Sequence, residues 1–275
     1  MAALASCRLT SHVLYSFATP LLFSSILLTE SPQWYRDYNK GVASFRKRAL
    51  NLKQTLINND IATSVQTMIL RCHSTSLKDP INGTLIAAIL HRLPHIRKFT
   101  LRGWEGADCL GQILEISSIG QDLASAIQAL CRSPNLTTLN IYYIIDFPIT
   151  LITQCPNLRH LLLSSIKFHV NPIFSVHLTT TNPIFQFDNE GETSSQELFY
   201  LDSLEIDQYS AFYLCLSRHT LVAKYFSQIK HLKTNDIFIK GPNLHGWNTM
   251  LLASQSLETL DIKDCTFKFN LASWL

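Results

Sequence analysis

Three short stretches of the chain share one spacing of apolar positions: LPHIRKFTL (93–101), SPNLTTLNI (133–141) and CPNLRHLLL (155–163). In each, a proline and one further residue precede apolar side chains at i, i+3 and i+5. The three sets are Ile96, Phe99 and Leu101; Leu136, Leu139 and Ile141; and Leu158, Leu161 and Leu163. The same frame fits Val65, Met68 and Leu70, then Leu201, Leu204 and Ile206, then Leu257, Leu260 and Ile262. Ile229, Leu232 and Thr234 form a weaker copy. First anchors therefore fall at 65, 96, 136, 158, 201, 229 and 257, with separations of 31, 40, 22, 43, 28 and 28 residues. Anchors at i+3 and i+5 alternate with i+2, i+4 and i+6, the period of a β-strand.

Between these strands the period becomes helical. Leu85, Ile86, Ile89, Leu90 and Leu93 line one helix face before Pro94. Leu123, Ile127, Leu130 and Cys131 do so before Pro134, and Leu244, Trp247 and Leu251 before the last strand. Each proline stops a helix and favours an extended segment. Strands joined by helical crossovers run parallel, so the pattern predicts an α/β chain.

Repeated LxxLxL strands separated by helices resemble a leucine-rich-repeat protein. The resemblance implies a solenoid, a curved parallel sheet with outer helices, over 42–275 in about seven irregular units. The last unit carries Cys265 where some such repeats place a cysteine; the others have His73, Trp104, Ile144, Ile166, Tyr209 and Ile237 there. A long insert, 168–197, contains NPIF twice and the polar run DNEGETSSQE. An ordinary α/β sheet with coincidental LxxLxL runs is the alternative.

The first thirty residues form a short helical segment with Cys7, Leu9, Tyr15, Ala18, Pro20, Leu22, Phe23 and Ile26. That set resembles the second half of an F-box, which the resemblance implies ends in a first strand-like segment, here Ile26–Leu28, and residues 1–30 are assigned as an F-box-like remnant. Together with the repeats it resembles the F-box-like leucine-rich-repeat proteins of the fungal type. The Leu-Pro and apolar helix that open an F-box are missing, because Met1 falls inside the following helix. The resemblance implies a substrate-recognition subunit of a Skp–cullin–F-box ubiquitin ligase, with a protein target on the concave repeat face. Leu4, Leu9, Val13 and Leu14 are candidate contacts to a Skp-type adaptor, although they serve equally well to pack on the first repeat. A repeat scaffold without a ligase role is an alternative. A secreted glycoprotein is another, with Val13–Leu28 as a signal-peptide core and sequons at Asn82 and Asn135.

On the concave face stand the residues at i+2, i+4 and i+6 of each strand. The expected protein-binding residues are Arg71, Lys98, Arg102, Asn140, Tyr142, His160, Leu162, Glu205 and Asp207. Tyr142, His160 and Leu162 form the centre.

Composition sharpens this reading rather than directing it. The 275 residues are 47% hydrophobic and 16% charged, a balance that excludes a disordered chain. The net charge of +3 hides an asymmetry. Residues 1–103 hold thirteen Lys and Arg against four Asp and Glu; residues 104–275 hold ten against sixteen. On the repeat frame this becomes a basic-to-acidic gradient from Arg71, Lys98 and Arg102 to Glu205 and Asp207.

Seven scattered cysteines lack zinc-ligand spacing, which fits free thiols in a cytoplasmic or nuclear protein. His91 and His95 are four apart, the spacing of a shared metal on one helix face, but Pro94 ends that helix between them. Phosphate-loop, nucleophile-elbow and metalloprotease motifs are absent, and neither a cofactor nor an enzymatic activity is expected. The Arg46, Lys47 and Arg48 cluster is read as a solvated helix face, or alternatively as a nuclear-import signal. Neither a nucleic-acid nor a membrane partner is expected. Phe267, Phe269, Leu271 and Trp274 are candidates to cap the last strand.

Overall fold

A computed structural model describes residues 18–30, 38–58, 61–103, 114–116, 119–145, 147–148, 151–152, 154–166, 201–207, 227–235, 238–239, 251–252, 254–263 and 266–267. The elements run β1 (Ser25–Thr29), α1 (Tyr38–Asn58), β2 (Thr67–Arg71), α2 (Ser74–Lys78), α3 (Pro80–Leu90), β3 (Lys98–Arg102) and β4 (Leu114–Glu115). They continue with α4 (Gln121–Cys131), β5 (Thr138–Tyr142), β6 (Ile144–Ile145), β7 (His160–Ser164), β8 (Ser203–Asp207), β9 (His231–Asn235), β10 (Phe238–Ile239), β11 (Thr259–Ile262) and β12 (Thr266–Phe267).

Eight strands form one parallel sheet in the order β1, β2, β3, β5, β7, β8, β9, β11, each beside the next in sequence. Two short parallel pairs, β4 with β6 and β10 with β12, stand apart from it. The chain is thus α/β with an open parallel sheet.

All seven frames read from the hydrophobic spacing coincide with strands, and their register is shared. Met68 pairs with Phe99, Phe99 with Leu139, Leu139 with Leu161, Leu161 with Leu204, and Leu204 with Leu232. Residue i+1 of each unit supplies a carbonyl that accepts from two successive N–H groups of the next. Gln66 O accepts from Arg97 and Lys98, Arg97 O from Thr137 and Thr138, and Thr137 O from Arg159 and His160. Arg159 O accepts from Asp202 and Ser203, Asp202 O from Lys230 and His231, and Lys230 O from Glu258 and Thr259. Units of very different length therefore enter the sheet at the same step.

The same device adds an eighth unit. Ser24 O accepts from the N–H groups of Gln66 and Thr67, which makes Phe23, Ile26 and Leu28 the anchors of β1. The assigned boundary at residue 30 thus leaves on the F-box-like side a strand that belongs to the sheet.

Anchors from Val65 to Leu232 are buried, with helix-face residues Leu85, Ile86, Ile89, Leu90, Leu123, Ile127 and Leu130 in the same core. Helices α3 and α4 pack together and α1 packs on α3. Asp79 caps α3, accepting from Asn82 N at 3.1 Å, with Pro80 in the first turn. The helix ends at Leu90, ahead of Pro94, and Leu93 is buried in the turn between them. The Pro–Asn pairs then tie units to one another. Asn135 Nδ2 donates to Pro94 O at 2.9 Å, and Asn157 Nδ2 donates to Pro134 O at 2.8 Å.

Among the described residues no helix is long and apolar enough to cross a membrane. Leu260 and Ile262, the last anchors, are exposed. Leu244, Trp247 and the 168–197 insert lie outside the described residues, as do Phe269, Leu271 and Trp274; of Phe267 only the backbone is described.

Candidate functional site

Opposite the buried anchors, the positions at i+2, i+4 and i+6 form an open face arranged in three lateral rows. The first row is Ser25, Thr67, Lys98, Thr138, His160, Ser203, His231 and Thr259. The middle row is Leu27, Ile69, Thr100, Asn140, Leu162, Glu205, Lys233 and Asp261. The third begins Thr29, Arg71, Arg102, Tyr142 and Ser164, and Asp207 stands beside Asn235 farther along. Neighbours within a row lie about 4.8 Å apart, and successive rows about 6.6 Å. All nine residues expected to bind a protein stand on this face.

Their surroundings divide them into two groups. At the β8–β9 end the acidic groups are engaged within the fold. Glu205 Oε1 accepts from Lys233 Nζ at 2.8 Å. The Asp207 carboxylate is buried and accepts from Ser165 N and, at 3.4 and 3.3 Å, from the hydroxyls of Ser164 and Ser165. Ser165 has a φ of 53°, in the left-handed region that non-glycine residues rarely adopt, so Asp207 holds the turn leaving β7. The acidic end of the sequence gradient is therefore largely spent on structure.

At the β2–β5 end the charged groups are basic. Arg71 and Arg102 are register partners on adjacent strands. The Arg102 guanidinium lies over the rings of Tyr142 and Tyr143, 5.1 and 5.5 Å from their centroids. Such stacking orients the guanidinium. The Tyr142 phenol pKa is raised above the ordinary value, first by burial and then by the Glu205 carboxylate, with Arg102 and Lys233 opposing. Asn140 Nδ2 donates to Thr100 Oγ1 at 3.2 Å. Lys98 and His160 are exposed, and Leu162 is half-buried.

Sequence reasoning missed Leu27, which begins the middle row and is 60% exposed. Its signal was the Phe23, Ile26 and Leu28 frame, hidden because Phe23 and Ile26 also fit the F-box-like pattern.

Other candidates are accounted for by the fold. Arg46 pairs with Asp79 Oδ2 at 2.7 Å and donates to Asn82 Oδ1 at 3.1 Å, tying α1 to the start of α3. Arg48 donates to Thr29 O at 3.0 Å. Asn82 is fully buried and its Nδ2 donates to Ser76 O at 3.0 Å, which leaves a glycan no room there in the folded chain.

Glu30, also buried, accepts from His73 N and Ser76 Oγ, each at 2.8 Å, where α2 begins. The neighbouring Cys72 thiol is pushed up by burial and then by the Glu30 charge, away from nucleophilic thiolate chemistry. Cys155 is pushed up by its hydrogen bond with Cys131 and then by burial. Cys72, Cys131 and Cys155 are free and buried. His91 and His95 are both exposed beyond the last residue of α3. Among the described residues no group of three or more His, Cys, Asp or Glu is placed to hold a metal. Leu4, Leu9, Val13 and Leu14 lie outside the described residues.

No family model, curated protein or solved structure matches the chain.

Proposed function

We propose that this chain is a leucine-rich-repeat interaction protein that binds a protein target on the open face of its sheet, the concave face of a solenoid. The observation that carries the reading is the strand-to-strand alignment of outward-facing residues. It collects Tyr142, Leu162, Asn140, His160 and Arg102 from consecutive units into one continuous surface. Half-buried aromatic and aliphatic groups beside orientable cations have the character of protein-binding surfaces. The chain has no need of its own chemistry in this role.

The ligase assignment belongs to the same proposal and rests on the F-box-like residues between Cys7 and Ile26. Binding to a Skp-type adaptor, with Leu4, Leu9, Val13 and Leu14 as contacts, would make the open face a substrate receptor. Co-purification of the full chain with the adaptor tests this part, compared with a variant carrying serine at those four positions. Adaptor retained by the native chain and lost from the variant is the expected result. Failure of the native chain to retain it overturns the ligase role and leaves the binding face as a repeat scaffold's.

A further inference from the structure

Basic residues reach the first row of the open face at every second strand from β3 to β9. Arg97 and Lys98 stand at the start of β3, Arg159 and His160 at β7, and Lys230 and His231 at β9, all exposed. The strands between them, β5 and β8, begin instead with Thr137 and Thr138 and with Asp202 and Ser203. Register places Lys98, Thr138, His160, Ser203 and His231 side by side in that order.

The whole row, from Ser25 to Thr259, holds hydroxyl and basic side chains and no carboxylate. Every member can donate a hydrogen bond. His231 Nδ1 lies 2.8 Å from Thr259 Oγ1, which orients that ring. Of the carboxylates beside the run, Asp202 pairs with Arg159 at 3.6 Å and Glu205 with Lys233 at 2.8 Å. Glu258 and Asp261 stand beyond it, at β11.

The spacing of the basic members selects the shape of an anionic ligand. Two strand steps make about 9.6 Å. A polyproline-II segment turns once in three residues and rises about 9.3 Å in doing so. Every third side chain of such a segment therefore meets a basic member of the row. A β-extended segment repeats its side chains about every 6.6 Å and falls out of step. A single-stranded nucleic acid also brings anions, but its bases need stacking platforms, and the row holds no Phe, Tyr or Trp.

Resting on the reading of the open face as a protein-binding surface, we infer that the first row from β3 to β9 receives an acidic segment of the target in polyproline-II conformation. The segment crosses the strands, and carboxylates three residues apart accept from Lys98, His160 and His231. Thr138 and Ser203 donate from between them. Leu162, two residues after His160 on β7, borders this subsite one row away.

The test uses the full chain at low ionic strength and fluorescein-labelled peptides read by fluorescence polarisation. The peptides are four repeats of Glu-Pro-Pro, of Glu-Pro-Pro-Pro or of Gln-Pro-Pro, and a labelled oligothymidylate is run beside them. The Glu-Pro-Pro peptide binds, and the four-residue period or the loss of charge weakens binding by about tenfold. Lys98→Gln and His160→Gln each weaken it by about threefold, and the double variant by about tenfold. Both side chains are exposed, so the variants keep the native unfolding temperature and separate binding from folding.

Absence of peptide binding, equal binding of the two glutamate periods, or unchanged affinity in the double variant overturns the subsite. Oligothymidylate bound more tightly than the Glu-Pro-Pro peptide overturns it in favour of a nucleic acid. A protein that crosslinks at Leu162 and is unaffected by the double variant overturns the subsite while leaving the open face as the binding surface. Absence of any crosslink at Leu162 instead counts against that wider reading.

Discussion

Gly103 and Gly83 lack the same atom and have opposite reasons for lacking it. A Cβ on Gly103 would fall 2.2 Å from the carbonyl oxygen of Tyr143, so the backbone of the neighbouring unit would have to move. On Gly83, inside α3, a Cβ would meet Leu77 O and Leu123 Cβ at 3.8 and 3.9 Å, ordinary contact distances. Gly103→Ala is therefore expected to destabilise the chain by about 1–3 kcal/mol. Gly83→Ala is expected to stabilise it by about 0.5–1 kcal/mol. Urea unfolding midpoints decide both signs.

Glu30 gives a second expectation at this scale. Glu30→Ala strands the His73 N–H and Ser76 hydroxyl in the core and is expected to cost about 1–3 kcal/mol. Glu30→Gln retains an acceptor oxygen and costs less, as the same unfolding experiment reads.

Tyr142 supplies a pH dependence. Its folded-state pKa lies above the unfolded one, so the protonated phenol contributes stability that is fully present below about pH 10. That contribution is lost as pH rises through the folded-state value. Tyr142→Phe should lose less stability than the native chain between neutral and strongly alkaline pH. Equal losses in denaturant midpoint contradict the assignment. Residue chemistry of this kind was the least legible in the sequence. Nothing in SLEID marks Asp207 as the support of a turn at Ser165, because the partners lie 42 residues apart. The spacing placed Asp207 on the correct face and could not say that its charge was spent.

At the scale of elements the sequence was far more informative, because strand identity depends on a local alternation that the apolar anchors display. Every one of the seven frames became a strand, including the weak Ile229, Leu232 and Thr234 copy, whose threonine is fully buried. Strand β1 was expected as a strand-like segment at Ile26–Leu28, and it escaped recognition as a copy of the frame for a physical reason. Its residues SILLT are nearly all apolar or small, with Leu27 exposed on the open face, so the alternation is masked. The Pro–Asn pairs explain why proline and asparagine recur before the strands. Proline closes the preceding turn, and asparagine bridges to the proline carbonyl one unit back. Asn135→Ala and Asn157→Ala should each cost about 0.5–1.5 kcal/mol. Because they serve different unit boundaries, the double variant should show near-additive losses in thermal unfolding. Strong non-additivity would mean that the ladder acts as one cooperative unit.

The whole molecule joins these levels. Unequal units of 22 to 43 residues enter one sheet in step because the repeated backbone pairing at i+1 fixes the entry of each strand. Length differences are left to the connections. This in-step entry aligns the outward rows and turns scattered residues such as Arg102, Tyr142 and Leu162 into neighbours. The overall charge asymmetry was visible in the sequence, but its consequence changed. Of the acidic half, the two acids expected on the binding face, Glu205 and Asp207, serve the fold.

The most direct test places a photocrosslinking amino acid at Leu162 or Asn140 on the open face, or at exposed Ile81 on α3. The crosslinked protein is identified by mass spectrometry and its affinity for the purified chain is then measured. The account predicts that one and the same protein is captured from Leu162 and Asn140 but not from Ile81. It also predicts that Leu162→Glu weakens the reconstituted complex by at least about tenfold without lowering the unfolding temperature. Capture from Ile81 alone, or a complex indifferent to Leu162→Glu, would contradict it.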